Sequence, residues 1–237
     1  MHDSLRNRRK DIIVSVDDFG IRQVAEAILP LARKGKLDRV SVLVNYIASK
    51  EQAEALLATG VKIDLHMELI KLVKSGEKME ESAVFRGLNF AIRYVLGFVG
   101  DDEVEQSWTQ QIDRFHELFG RYPDGLNSHE HLHYFPRFFR IVVALGARYD
   151  IPFVRFARKG VVRRPFVIVF RVIDFFWKAD NRHYRNQRKS RDAADFFVSY
   201  DWLDDFDEFL LHLPDGITEI VFHPERPAEA AVIEKYF

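Results

Sequence analysis

Asp17 and Asp18 stand side by side at the end of a short apolar run and are followed by Phe19-Gly20. Two adjacent carboxylates at such a turn can divide labour, one ligating a metal ion while its neighbour takes a proton. A bound cation would keep both ionised despite their mutual repulsion. The plainer reading is a helix N-cap, a position that aspartate favours. A second group is Asn127-Ser128-His129-Glu130-His131-Leu132-His133. If this stretch is extended, alternation puts His129, His131 and His133 on one face. Imidazole is a common metal ligand, and an internal cluster flanked by apolar residues favours that use over a chance surface run. Three imidazoles so spaced do not easily reach one ion, so some of them are expected to contact substrate or carry protons. His66, in Asp64-Leu65-His66-Met67-Glu68, and His223, before Pro224, are weak signals taken singly. His2, His116, His183 and His212 lie in polar or helical surroundings and read as surface or packing residues.

The elements that must carry these groups alternate along the chain. Residues 12–16, 40–44, 61–65, 125–128, 153–156, 196–200 and 217–222 have the short apolar, β-branched character of buried strands. Residues 21–34, 50–58, 101–119, 136–149, 163–178 and 204–213 read as helices. Gly35, Gly60 and Gly120 serve as stops, and 101–119 has an acidic first turn. Residues 69–100 fit this scheme less well and suggest an insertion with a helix over 85–98. The alternation predicts parallel βαβ units, an α/β fold of distorted (β/α) TIM-like barrel type in a single domain over 1–237, with 1–10 as a flexible start. Reactive groups in such folds collect at the carboxyl ends of the strands. Asp17-Asp18, His66, His129 and His223 each follow a predicted strand, which points to one shared pocket.

Composition narrows the chemistry. The 237 residues include no cysteine, so any metal must be held by His and carboxylate. A net charge of -1 gives no electrostatic case for nucleic acid as a partner. No window has the roughly 18 uninterrupted apolar residues of a membrane span, and no secretory leader is evident near the start. The expectation is a soluble, cytoplasmic protein.

Read together, the residues resemble the YdjC-like, or ChbG-type, carbohydrate deacetylases. The matching pieces are Asp17-Asp18-Phe19-Gly20, Ser41-Val42-Leu43-Val44-Asn45, Asp64-Leu65-His66-Met67-Glu68-Leu69 and Asn127-Ser128-His129-Glu130-His131-Leu132-His133. Ile151-Pro152-Phe153-Val154-Arg155 and Thr218-Glu219-Ile220-Val221-Phe222-His223-Pro224 complete them, so the likeness runs from about Ile12 to Pro224. It implies a distorted barrel, one divalent metal ion and removal of an acyl group, usually acetyl, from an amino sugar. By position, Asp18, His66 and His129 would ligate the metal and Asp17 would be the general base. His223 or His131 would protonate the leaving amine, and Arg155, His133 and Asn45 would contact the sugar. A site with two histidines suits Zn, Co or Ni better than Mg, although availability can decide. The chain departs from the family in having Asp64-Leu65 where a Gly usually precedes the histidine, in Ile70 where Thr is usual, and in residues 71–82.

Residues 151–191 are rich in arginine and lysine and enclose the apolar run from Phe166 to Trp177. Core helices with a solvated basic loop account for this, because amphipathic helices pack inward. The sharper expectation is peripheral membrane contact through 163–191, at the inner membrane surface, with a lipid-linked substrate. A homodimer is a further expectation. The competing readings are a deformylase or another metal-dependent amide or ester hydrolase, and a catalytically silent sugar- or lipid-binding protein of the same fold.

Overall fold

The structure is a computed structural model and describes residues 9–69, 100–162, 174–175, 177–178 and 192–237. The expected helix over 85–98, the divergent loop 71–82 and most of the basic aromatic stretch 163–191 lie outside these residues. The described strands are β1 (Ile12–Phe19), β2 (Arg39–Val42), β3 (Lys62–Met67), β4 (Gly125–Ser128), β5 (Phe153–Val154), β6 (Gly160–Val161), β7 (Phe196–Ser199) and β8 (Thr218–Phe222). They form one sheet in the order β5-β4-β3-β2-β1-β8-β7-β6, and every neighbouring pair is parallel. Near-continuous burial along β1, β2, β4 and β8 is what a parallel sheet covered by helices requires, and it explains why these strands lack polar alternation.

The sheet is curled. Arg155, the residue after β5, bonds Asp17 on β1 and Glu219 on β8. In a flat sheet β5 and β1 would be roughly 19 Å apart, four inter-strand spacings, beyond the reach of an arginine. The two edges also approach each other: Val154 N–H donates to the Asp192 carbonyl at 3.2 Å and Asp192 N–H to that of Pro152 at 2.9 Å, just ahead of β7. The fold is therefore a distorted TIM-like barrel.

The α-helices named among the described residues are α1 (Arg22–Arg33), α2 (Lys50–Leu57), α3 (Asp101–Phe119), α4 (Pro136–Arg148), α5 (Phe206–Leu211) and α6 (Pro227–Tyr236). In α3, Val104, Trp108, Ile112, Phe115 and Phe119 recur at helical spacing and are all buried, so α3 lays one apolar stripe against the sheet and α4. Gly120 ends it with φ +67, the left-handed turn that glycine takes at least cost. Some expectations change. β1 runs on to Phe19 and β3 to Met67, so Asp17, Asp18 and His66 lie inside their strands rather than after them. Residues His129–Tyr134 form a 3-10 turn, not an extended segment. β6, only two residues long, carries no sequence pattern. Of the aromatic stretch, Trp177 is buried and donates from Nε1 to the Ala157 carbonyl at 2.6 Å, whereas Phe175 is exposed. Among the described residues no helix is long and apolar enough to cross a membrane.

Asp64, one of the departures from the family pattern, is fully buried and binds Arg39 through Nε at 2.7 Å and Nη2 at 2.5 Å. The Arg39 guanidinium also lies 3.8 Å from the centre of the Phe153 ring. This assembly occupies the space beside Gly125, where a Cβ would stand 2.6 Å from Asp64 Oδ1 and 2.7 Å from Arg39 Nη2. Gly125→Ala is therefore expected to lower unfolding free energy by about 1–3 kcal/mol through overpacking, readable as a fall in the urea midpoint.

Candidate metal and catalytic site

Strict alternation along β1 would send Asp17 and Asp18 to opposite faces. The pairing of β1 with β2 shifts register between Val16 and Phe19, and Asp18 takes φ +66, a left-handed conformation tolerated by aspartate. This irregularity turns both carboxylates to one side. Gly20 completes it with φ +128, and a Cβ there would meet the Leu43 carbonyl oxygen at 2.6 Å.

Asp18 Oδ1 lies 3.1 Å from His129 Nδ1 and 3.4 Å from His66 Nε2. One donor atom each from Asp18, His66 and His129 falls within a 4.8 Å group. Bonds of about 2.0–2.2 Å to a central ion can span such a group. The other nitrogen of His66, Nδ1, bonds Asn127 Oδ1, and Asn127 Nδ2 donates to Ser41 Oγ at 2.9 Å. With an ion bound, that arrangement would put the His66 proton on Nδ1 and leave the Nε2 lone pair for the ion, the usual support for a metal-bound imidazole. Arg39 pairs with Asp64, and Arg155 with Asp17 and Glu219, whereas Asp18 lies against the two histidines. Burial alone would raise the Asp18 pKa, but hydrogen bonds from His129 and His66 outweigh it and hold the carboxyl far below its ordinary range.

Asp17 Oδ2 is 4.0 Å from His66 Nε2, and the carboxylate is gripped by Arg155 through Nη1 at 2.7 Å and Nη2 at 2.9 Å. Burial pushes the Asp17 pKa up, and the Arg155 charge overrides this, so the group stays ionised well below the usual carboxylate range. Arg155 in turn donates Nε to Glu219 Oε1 at 2.8 Å and Nη2 to Ser41 at 3.1 Å. Arg155 is fully buried, so it holds Asp17 from beneath instead of reaching substrate.

The 3-10 turn separates the three clustered histidines. Only His129 joins the Asp18 group. His133 is fully buried, its Nδ1 at 2.8 Å from Ser128 Oγ and its Nε2 at 3.0 Å from the Arg155 carbonyl. It locks the turn to the backbone just after β5 and has no face for a sugar. His131, with φ +55, packs edge-on against Phe197 and Trp202 at ring-centre distances of 5.3 and 5.4 Å. Burial, reinforced by the Arg155 charge, drives the His131 pKa down to about 3, and burial pushes His133 well below 6.5. A neutral imidazole of that kind is a poor acid near neutral pH.

The same shifts predict acid sensitivity. The folded state keeps both imidazoles neutral while the unfolded chain protonates them near 6.5. The unfolded state thus binds more protons, and stability is full above pH 6.5 and falls as pH drops toward 3. Urea titrations between pH 6 and 4 are expected to show a loss of about 1.4 kcal/mol per pH unit for each such histidine. A flat profile there would contradict the burial of both rings.

His223 follows β8 with its ring about a fifth exposed, and Nδ1 lies 4.0 Å from Glu229 Oε2. Asn45 is exposed at the rim and donates Nδ2 to Glu68 Oε1 at 2.8 Å. Tyr46 stands beside it. Burial, followed by the charges of Glu68 and Asp18, raises the Tyr46 pKa and places its phenol near both carboxylates. Asn127, Ser41, Glu219, Glu229 and Tyr46 escaped the sequence reading. Glu219 had a signal: a carboxylate inside an otherwise apolar strand must find a buried partner.

A family model described as YdjC-like protein matches residues 11–235. A carbohydrate deacetylase of Danio rerio is 27% identical over 152 residues, covering 61% of this chain and 49% of that protein. A chitooligosaccharide deacetylase of Escherichia fergusonii is 29% identical over 157 residues, 63% of this chain and 60% of its own. The matched stretch thus spans about half to three fifths of these curated relatives. Among solved structures, an Enterococcus faecalis protein whose name suggests cellobiose-phosphate cleavage superposes with TM-score 0.59 at 18% identity, over 90% of this chain and 80% of that one. That likeness concerns the fold.

Proposed function

The chain belongs to the YdjC-like family, and from that premise we propose that it is a metal-dependent hydrolase that removes an N-acetyl group from an amino sugar or its oligomer. The observation that carries this reading is the Asp17 carboxylate set beside the Asp18–His66–His129 donor group at the carboxyl ends of β1, β3 and β4. The deacetylase names of the relatives agree with it.

Asp18, His66 and His129 would hold the ion, and two imidazoles with one carboxylate suit Zn, Co or Ni. When bound, such an ion supplies Lewis-acid polarisation of the amide carbonyl and acidifies the attacking water. Asp17 accepts the proton that the water loses as its oxygen bonds to the acyl carbon. Arg155 keeps the Asp17 carboxylate fixed during this transfer, which avoids reorganisation at the moment of reaction. As the C–N bond breaks, His223 gives a proton to the departing nitrogen, so acetate and a free amine leave. Tyr46 and Asn45 at the rim are the groups in place to meet sugar hydroxyls.

The test is acetate release from N-acetylated glucosamine oligomers, with the protein stripped by chelator and then reloaded with Zn, Co, Ni or Mg in turn. Acetate and free amine in equal amounts, dependent on the ion, are the expected result. Bound sugar without acetate under every ion would leave a silent binding protein instead.

A further inference from the structure

We propose that Glu229 is a positioning residue for His223, holding the proton on Nδ1 so that the opposite ring nitrogen, Nε2, is the one that exchanges a proton with the substrate. This rests on the reading of His223 as the donor to the leaving amine.

Glu229 lies in the first turn of α6, where a glutamate ordinarily faces water, yet it is only 2% exposed. A buried carboxylate needs compensating partners. Its Oε1 accepts from Arg226 Nη1 at 2.9 Å, and its Oε2 accepts from the His223 backbone N–H at 2.7 Å. The same Oε2 is 4.0 Å from His223 Nδ1. Nδ1 is itself buried and makes no hydrogen bond. Leaving a buried donor unpaired costs about 1–3 kcal/mol, so a small ring rotation that brings Nδ1–H onto Oε2 is favourable. Because one oxygen holds the backbone of the residue whose ring it faces, ring and carboxylate cannot drift apart. The bond made by one imidazole nitrogen fixes the state of the other. An anion facing that nitrogen also offsets the positive charge that develops on the ring as a proton passes through it.

Other groups act on the pair from each side. His223 senses Asp17 from β1 and His131 from the 3-10 turn, while Glu229 is opposed by Arg226 and faces Tyr200 after β7. Burial raises the Glu229 pKa, and the His223 N–H and Arg226 counter it. The simpler role for Glu229 is to cap the turn into α6. That role needs only an acceptor, which glutamine also supplies.

The experiment has two parts. In the resting protein, 15N NMR of His223 is expected to show Nδ1 protonated in the wild type and a mixture of tautomers in Glu229→Ala. Identical tautomers in both overturn the proposal whatever the substrate is. In turnover, Glu229→Gln is expected to move the basic limb of the kcat/KM profile for an N-acetyl sugar about one pH unit lower, with metal content unchanged. Glu229→Asp, which keeps the charge, is expected to restore much of that limb. Cleavage of p-nitrophenyl acetate, whose phenolate departs without a proton, is expected to be unaffected. Equal losses on amide and ester mark a structural role and overturn the proposal. Full amide turnover by His223→Ala would instead remove the donor assignment itself, a result separable from an unshifted limb in Glu229→Gln alone.

Discussion

Asp17→Asn is expected to lower kcat for N-acetyl sugar hydrolysis by about 10²–10⁴, the usual contribution of a positioned general base. The change preserves shape, and the new amide oxygen can still accept from Arg155, while Glu219 remains to neutralise the guanidinium. Metal content is expected to stay at the wild-type level, because the donor group consists of Asp18, His66 and His129 and does not include Asp17. The combination is what makes the result diagnostic: turnover lost, metal retained, thermal midpoint lowered only modestly. Removing one partner of a buried ion pair can cost about 3–5 kcal/mol, so the midpoint must be measured alongside. Wild-type turnover in Asp17→Asn would remove Asp17 from the chemistry and leave it as an anchor for Arg155. A variant that loses metal as well would show that Asp17 reaches the ion.

His66→Ala is expected to abolish both stoichiometric metal and turnover. The ion is asked to supply several kcal/mol of transition-state stabilisation, which at 1.36 kcal/mol per decade is roughly 10³-fold or more in rate. Elemental analysis of untagged protein gives the first readout: near one ion per chain in the wild type, near none in His66→Ala and His129→Ala. Exposed His116, on the outer face of α3, is the control and is expected to keep the metal when replaced. Asn127→Ala tests the supporting bond, since loss of such a partner typically weakens metal binding 10–100-fold without eliminating it. Full metal content in both histidine variants would mean that the donor group does not hold an ion.

The sequence by itself determined much of this. A chain of alternating apolar strands and amphipathic helices can bury itself only as parallel βαβ layers, so β1, β4, α3 and the C-terminal placement of Asp17-Asp18, His129 and His223 were legible before any coordinates. Charged residues in buried strands, such as Asp64 and Glu219, must find buried partners, yet nothing in the local pattern says which. The partners themselves are set by how far the sheet curls, and no local pattern encodes that. Arg155 is brought under Asp17 only because β5 is carried round toward β8, which turns an expected sugar contact into an internal clamp. Backbone dihedrals decided the rest. The left-handed turn at Asp18 lets neighbouring carboxylates share one side, and the 3-10 turn at His129–Tyr134 divides three histidines that an extended strand would have aligned. The first accompanies the register shift of β1 against β2, and the second is held by His133 on the Arg155 carbonyl and by His131 against Phe197 and Trp202. Side-chain type and spacing can name the chemistry available, whereas which atoms meet is settled by long-range packing.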